Sequence, residues 1–148
     1  MDVLTLLKED HADVKDLFKR IEHAKGSRAR EIWDEISTKL TLHEELEETH
    51  FYPKLKEEEG ARDIVLESYQ EHHVLDLLID EINTLAPDDE AWEPKVKVLQ
   101  ENVEHHIEEE EGELFPKVRK IWNTNRRTEI GETMLRMKQQ RTRARRAA

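Results

Sequence analysis

The sequence predicts an all-α protein, an up-down-up-down antiparallel four-helix bundle with a short C-terminal fifth helix. Three observations predict it. Apolar residues recur at spacings of three and four in four separate segments, as they do on a helix with one buried stripe. The 148 residues include only four Gly and four Pro, so few positions break such runs. The pattern of the first two segments returns in the second two, and the short connections make sequential neighbours antiparallel.

The first helix carries Leu4, Leu7, His11, Val14, Phe18 and Ile21 on one stripe, and Gly26 and Ser27 interrupt the pattern. The second carries Trp33, Ile36, Leu40, His43 and Glu47, with Pro53 near its expected end. The third carries Val65, Ser68, His72, Leu75, Ile79 and Ile82, and Leu85-Ala86-Pro87-Asp88-Asp89 then reads as a turn. The fourth carries Val96, Leu99, Val103, His106, Glu110 and Leu114. A fifth helix is expected from about Thr128 to Gln140, with Ile130, Met134 and Met137 as a thin apolar edge. The division is a bundle over residues 1–122, a C-terminal helix over 123–140 packing on or extending from it, and a basic disordered tail over 141–148.

Composition narrows the chemistry. With no cysteine, any metal must be held by nitrogen and oxygen. No apolar run is long enough for a membrane span and no signal-peptide pattern opens the chain, so a cytoplasmic location without a membrane partner is expected. The net charge of −11 is uneven. Residues 136–148 carry Arg136, Lys138, Arg141, Arg143, Arg145 and Arg146 and no acid, which leaves −17 on the body. So acidic a body argues against a nucleic-acid partner. The basic tail is expected to be solvated, with weak self-association or a protein contact as its alternative use.

One motif occurs twice. His43-Glu44-Glu45-Leu46-Glu47-Glu48, leading into Tyr52-Pro53-Lys54, returns as His106-Ile107-Glu108-Glu109-Glu110-Glu111, leading into Phe115-Pro116-Lys117. A shift of 61 residues carries His11 onto His72 and Asp10 onto Glu71; a shift of 63 carries His43 onto His106 and Glu47 onto Glu110. A His and a Glu four apart lie one turn apart on one helix face, so both can reach one ion. His11, His43, His72 and His106, with Glu47 and Glu110, occupy inward positions otherwise held by Leu, Ile and Val. Burying two carboxylates without partners costs several kcal/mol each, which bound cations would offset. Imidazole and carboxylate donors suit iron, manganese or zinc.

These residues resemble the hemerythrin-like, or HHE cation-binding, family. The resemblance covers residues 1–140 through Asp10-His11, His43-x-x-x-Glu47-Glu48, Glu71-His72 and His106-x-x-x-Glu110-Glu111 with Phe115-Pro116; the segment from Glu129 to Met134 resembles the family's C-terminal helix. It implies two non-haem iron ions, oxo- or hydroxo-bridged, held by His11, His43, Glu47, His72, His106 and Glu110, with Glu47 and Glu110 bridging. It implies a protein that binds or senses O₂, or reacts with O₂ or peroxide. Iron binding for storage or iron sensing, without turnover, is the alternative, and an interaction module around a structural metal is a third reading. There is one departure. O₂-carrying hemerythrins have a second His on the third helix, and Asp76 stands there. Asp76, Glu44 or water would take that place, and a more anionic shell favours ferric iron, hence oxidation chemistry or sensing over O₂ carriage.

Other polar residues are expected outside the site. Glu48 lies off the inward phase, and Glu108, Glu109, Glu111 and Glu113 read as a solvated acidic face. Tyr52 and Phe115, each before a proline, read as packing at the bundle end. His73 and His105 are expected to be exposed or to back the site, His50 to be structural, and His23 to be uninvolved.

Overall fold

The computed structural model describes residues 1–147, and the regular structure among them is helical. In chain order these are α1 (Val3–Ile21), α2 (Gly26–Leu46), a π turn (Glu47–Phe51), α3 (Tyr52–Lys56), α4 (Glu59–Asn83), α5 (Trp92–Glu109), a second π turn (Glu110–Leu114), α6 (Phe115–Ile121) and α7 (Thr124–Ala147). Each π turn joins its two neighbours into one long rod. The bundle thus has four rods: α1, α2–α3, α4 and α5–α6.

Local chemistry sets the ends. The Asp2 carboxylate accepts a hydrogen bond from the Leu4 N–H at 2.8 Å and caps α1. Gly26 opens α2 with φ +57°, a left-handed conformation that a side chain would strain. Trp33 donates its Nε1–H to Asn83 Oδ1 at 2.8 Å and meets Trp92 edge-on, fixing the loop end of the bundle.

The prolines do not end their rods as the sequence suggests. Proline in an α-helix interior clashes with the carbonyl four residues back. Here that carbonyl lies within a wider turn, where Tyr52 N–H bonds Glu47 O and Phe115 N–H bonds Glu110 O, five residues back in each case. The rods therefore continue past Pro53 and Pro116 to Lys56 and Ile121.

The apolar interior is in two parts. One cluster gathers Leu6, Leu7, Leu46, Phe51, Tyr52, Leu55, Phe115, Val118 and Met134. The other gathers Val14, Phe18, Trp33, Ile36, Leu75, Ile79, Leu99 and Val103. Buried polar residues, the four histidines and Glu47 and Glu110 among them, lie between.

The C-terminal helix is longer than the sequence suggests. Residues 141–147, expected as a disordered tail, are the last turns of α7, and Ala148 lies outside the described residues. A strongly basic stretch can stay helical because acidic neighbours lie alongside. Arg127 bonds Asp2 at 2.8 Å, Lys138 bonds Asp10 at 2.5 Å and Arg141 bonds Glu45 at 2.7 Å. At the closest approach, Gly131 lies against the backbone of Met1–Val3.

A Cβ on Gly131 would lie 2.1 Å from Met1 O and 2.7 Å from Val3 N. Gly131→Ala is therefore expected to destabilise the fold by ~1–3 kcal/mol in denaturant unfolding. Gly112→Ala, which meets nothing within 4 Å, is expected to be neutral or stabilising.

Candidate metal centre

The polar layer is built from all four rods. His11 comes from α1, His43 from α2, His72 from α4 and His106 from α5; Glu47 and Glu110 each open a π turn. All six are buried, Glu47 and Glu110 at 0% and 1% exposure. The six residues that share an inward helical phase in the sequence thus lie together in one layer.

Each imidazole is held from behind. The Nδ1 of His11 meets Glu111 at 2.6 Å, that of His43 meets Asp10 at 3.0 Å, that of His72 meets Glu48 at 3.0 Å and that of His106 meets Glu71 at 2.6 Å. A carboxylate at Nδ1 makes that nitrogen the donor and leaves Nε2 as a bare lone pair. All four Nε2 atoms then point inward. His11 Nε2 lies 3.1 Å from Glu110 Oε1, and His106 Nε2 lies 3.2 Å from Glu110 Oε2. His43 and His72 place Nε2 at 3.0 and 3.2 Å from Glu47 Oε1.

The donors form two groups with ligand atoms within 4.8 Å of one another: Glu47, His72, His106 and Glu110, and His11, His43 and Glu110. Glu110 belongs to both and turns one oxygen to each, which is the geometry of a bridge.

The set is unbalanced without positive charge. His72 Nε2 and His106 Nε2 are 3.2 Å apart. His43 Nε2 and both Glu47 oxygens are buried without hydrogen-bond partners. Converging lone pairs and orphaned carboxylate oxygens repel one another unless a proton or a metal ion lies between them. The titration behaviour carries the same imprint. Burial would push the proton off His72, yet the Glu47 carboxylate facing its Nε2 and the hydrogen bond that its Nδ1 donates to Glu48 hold its pKa up at about 9. His43 and His106 are also raised despite burial, by Glu47 and Glu110 respectively. The donor set fits cations on these grounds.

Several residues of the site escaped the sequence reading. Asp10, Glu48, Glu71 and Glu111 were not assigned to it, and Glu111 was placed on the solvated face. They had a signal: each adjoins one of the six inward residues in both copies of the repeat, as Asp10-His11 and Glu71-His72, and as Glu47-Glu48 and Glu110-Glu111. Tyr52 is more than end packing. It is fully buried, donates its hydroxyl hydrogen to Glu110, and lies 3.3 and 3.4 Å from Nε2 of His72 and His106. At 3.6 residues per turn it would lie about 140° from Glu47. The π turn places the two one turn apart. Its repeat partner Phe115 stacks on His11 at 6.0 Å.

The remaining histidines lie outside. His23, His73 and His105 are exposed, and His50 meets the Met137 sulfur at 2.9 Å. Glu44 and Asp76, candidates for the fifth place, instead lie against each other outside both groups. Asp76 is exposed, while burial, the Asp76 contact and like charge raise the Glu44 pKa to about 9.

Comparison with known proteins agrees with this geometry. Residues 2–118 match the sequence model of the hemerythrin HHE cation binding domain. A protein of Nostoc sp. (strain PCC 7120 / SAG 25.82 / UTEX 2576) named DNA nickase is 28% identical over 120 residues, which are 80% of this chain and 34% of that protein. The chain thus spans about a third of that relative's length. The crystal structure of a hemerythrin HHE cation binding domain-containing protein from Mycobacterium kansasii superposes with a TM-score of 0.85 at 24% identity, covering 97% of this chain and 90% of that one. At that identity the likeness is one of fold.

Two outcomes follow from the site. Glu48→Gln and Glu111→Gln are expected to weaken metal binding ~10–100-fold, because each frees a ring that carries a donor nitrogen. Glu113→Gln, exposed in the same acidic run, is expected to leave it unchanged; competition with a chromogenic chelator measures all three. The metal-free protein is expected to lose stability as pH rises. His72 goes from 6.5 to about 9 on folding, so its contribution is full below pH 6.5 and gone above about 9. Glu44, raised from 4.5 to about 9, acts in the same direction. The thermal midpoint of metal-free protein should fall between pH 6 and 9, and bound metal should remove that fall.

Proposed function

The chain belongs to the hemerythrin HHE cation-binding family, and on that basis we propose that it is a non-haem di-iron protein that binds O₂ or reacts with O₂ or peroxide. One observation carries the choice of ligand. A cavity of about 20 Å³ touches His11, His43, His72 and His106 and is otherwise walled largely by Val14, Leu40, Leu75, Val103 and Ile107. A space of ~10–15 Å³ holds one water, so this one has room for a ligand of about two heavy atoms. Its apolar wall suits a small neutral ligand such as O₂ or H₂O₂.

Bound iron would supply the electrons for such chemistry. The chain supplies the rest. His11, His43, Glu47, His72, His106 and Glu110 would hold two ions, with Glu47 and Glu110 shared between them. Asp10, Glu48, Glu71 and Glu111 keep the rings aimed. Tyr52, whose pKa is driven well above 10 by burial and by Glu110 and Glu47, stays protonated and keeps a hydrogen at Oη beside Glu110. The two apolar clusters exclude bulk water from both sides of the layer. Among the described residues no helix is long and apolar enough to cross a membrane. The acidic body argues against nucleic acid as partner, so the activity in the longer relative's name is not carried over.

The test is iron content followed by reactivity. Two irons per chain are expected by elemental analysis. The anaerobically reduced protein should develop near-ultraviolet and visible charge-transfer absorption on exposure to O₂ or peroxide. Val103→Leu, which fills the cavity, should slow that change about tenfold or more at unchanged iron content. Iron that binds and leaves without any response to O₂ or peroxide would mean storage or iron sensing instead. Stoichiometric zinc in protein made with ample iron would sink the di-iron reading.

A further inference from the structure

We propose that the face between α2 and α4 carries an outer divalent-cation site through which metal reaches the buried centre. The inference rests on the metal-centre reading above and adds where the ions come from. An open pocket of about 500 Å³ on that face is walled by Glu44, Glu45, Glu48, Asp76 and Asp80. Arg141 neutralises Glu45 at 2.7 Å. Among the described residues, no lysine or arginine pairs with Glu44, Glu48, Asp76 or Asp80. Such a cluster alone would be an acidic surface. What makes it a site is Glu44. Its side chain is 95% buried against only 5% exposed, it lines the pocket, and its Oε1 has no hydrogen-bond partner. Asp76 approaches the same carboxyl from α4.

The ligand geometry is present. Glu44 and Glu48 place carboxylate oxygens within 4.8 Å of each other and of the His72 ring, whose Nδ1–H stays on Glu48, a third group next to the two of the centre. Its donors are chiefly carboxylate oxygens, and Asp76 and Asp80 extend them outward. Oxygen donors in an open pocket suit a divalent ion that keeps part of its water shell and exchanges readily. The pocket is also linked to the centre through shared side chains. Glu48 lines it and also holds His72 Nδ1 at 3.0 Å, while His72 Nε2 faces Glu47 at 3.2 Å. A cation at Glu44 and Glu48 is thus one imidazole away from the inner donors. Movement inward needs no redox step, only exchange of oxygen ligands for the inner set.

The experiment uses the full-length, metal-loaded protein. Resident metal is counted by elemental analysis after desalting, and the protein is then titrated with Mn²⁺, with free Mn²⁺ read by electron paramagnetic resonance. One Mn²⁺ per chain beyond the resident ions is expected. In Glu44→Gln/Asp76→Asn the resident count should be unchanged, the added Mn²⁺ should bind at least tenfold more weakly, and a chelator should extract resident metal at least fivefold more slowly. Should that pair fail to fold, Asp76→Asn/Asp80→Asn, both exposed, should show the same changes. Wild type that takes up no additional Mn²⁺, or variants that bind it and release resident metal like wild type, overturns the proposal. Desalted protein devoid of metal sinks the centre itself; a full centre without the outer ion sinks this inference alone.

Discussion

The rest of the structure depends on the mutual repulsion of donor atoms gathered in the middle of the bundle. Two buried carboxylates and four inward imidazole nitrogens occupy one layer, with His72 and His106 Nε2 only 3.2 Å apart. Such a layer is unfavourable by several kcal/mol per uncompensated charge. It also interrupts the apolar core, which is why the interior forms two clusters rather than one. Positive charge in the layer reverses the balance. It turns the weakest part of the core into the junction that ties all four rods together, since each rod contributes a ring and two contribute a carboxylate. Protons can stand in for it only partly, and only below the raised pKa of His72, about 9. Folding and metal binding are thereby coupled.

The ring of Nδ1 contacts shows how the duplication works. Within a hairpin, the residue before the first His reaches the second His, as Asp10 to His43 and Glu71 to His106. Between hairpins, the residue after each inward Glu reaches the opposite first His, as Glu48 to His72 and Glu111 to His11. Two contacts hold each hairpin and two lock the hairpins to each other. Helix α7 joins this system from outside. Lys138 bonds Asp10, which holds His43 and is itself kept ionised: burial would raise its pKa, but His43 and Lys138 bring it down to about 2. The C-terminal helix is thus connected electrostatically to the centre through two side chains.

Legibility in the sequence followed helical phase. Leu, Ile, Val, His and Glu at spacings of three and four located the rods, the bundle and all six inward donors, because α-helical periodicity holds up to Glu47 and Glu110. It fails just after them. The π turns add a residue per turn, so Tyr52 and Phe115 come round to the interior although counting at 3.6 places them aside. The prolines that read as helix ends fit the widened turns instead. The carboxylates behind the rings were illegible for another reason. Asp10, Glu48, Glu71 and Glu111 sit one residue off the stripe and reach their histidines across a helix boundary, where phase on one helix carries no information. The helical course of the tail was illegible because a run of basic residues does not show which acidic face it meets; Arg141 meets Glu45 on α2, as Lys138 just before it meets Asp10 on α1.

One break of the repeat inside the site makes its halves unequal. Tyr52 and Phe115 are equivalent in the duplication, and both are carried inward by the π turns. Tyr52 donates a hydrogen bond to Glu110 on the side of His72 and His106. Phe115 offers His11 only a flat apolar face. A hydrogen bond withdraws electron density from the carboxylate oxygen it reaches, so the two oxygens of Glu110 are not equally basic. The oxygen turned to His11 is the stronger donor. Glu110 thus gives more charge to the side of His11 and His43 than to the side of His72 and His106. Two ions held here would differ in electron richness although their histidines and carboxylates come from a near-perfect repeat, and a single phenol hydroxyl is the cause.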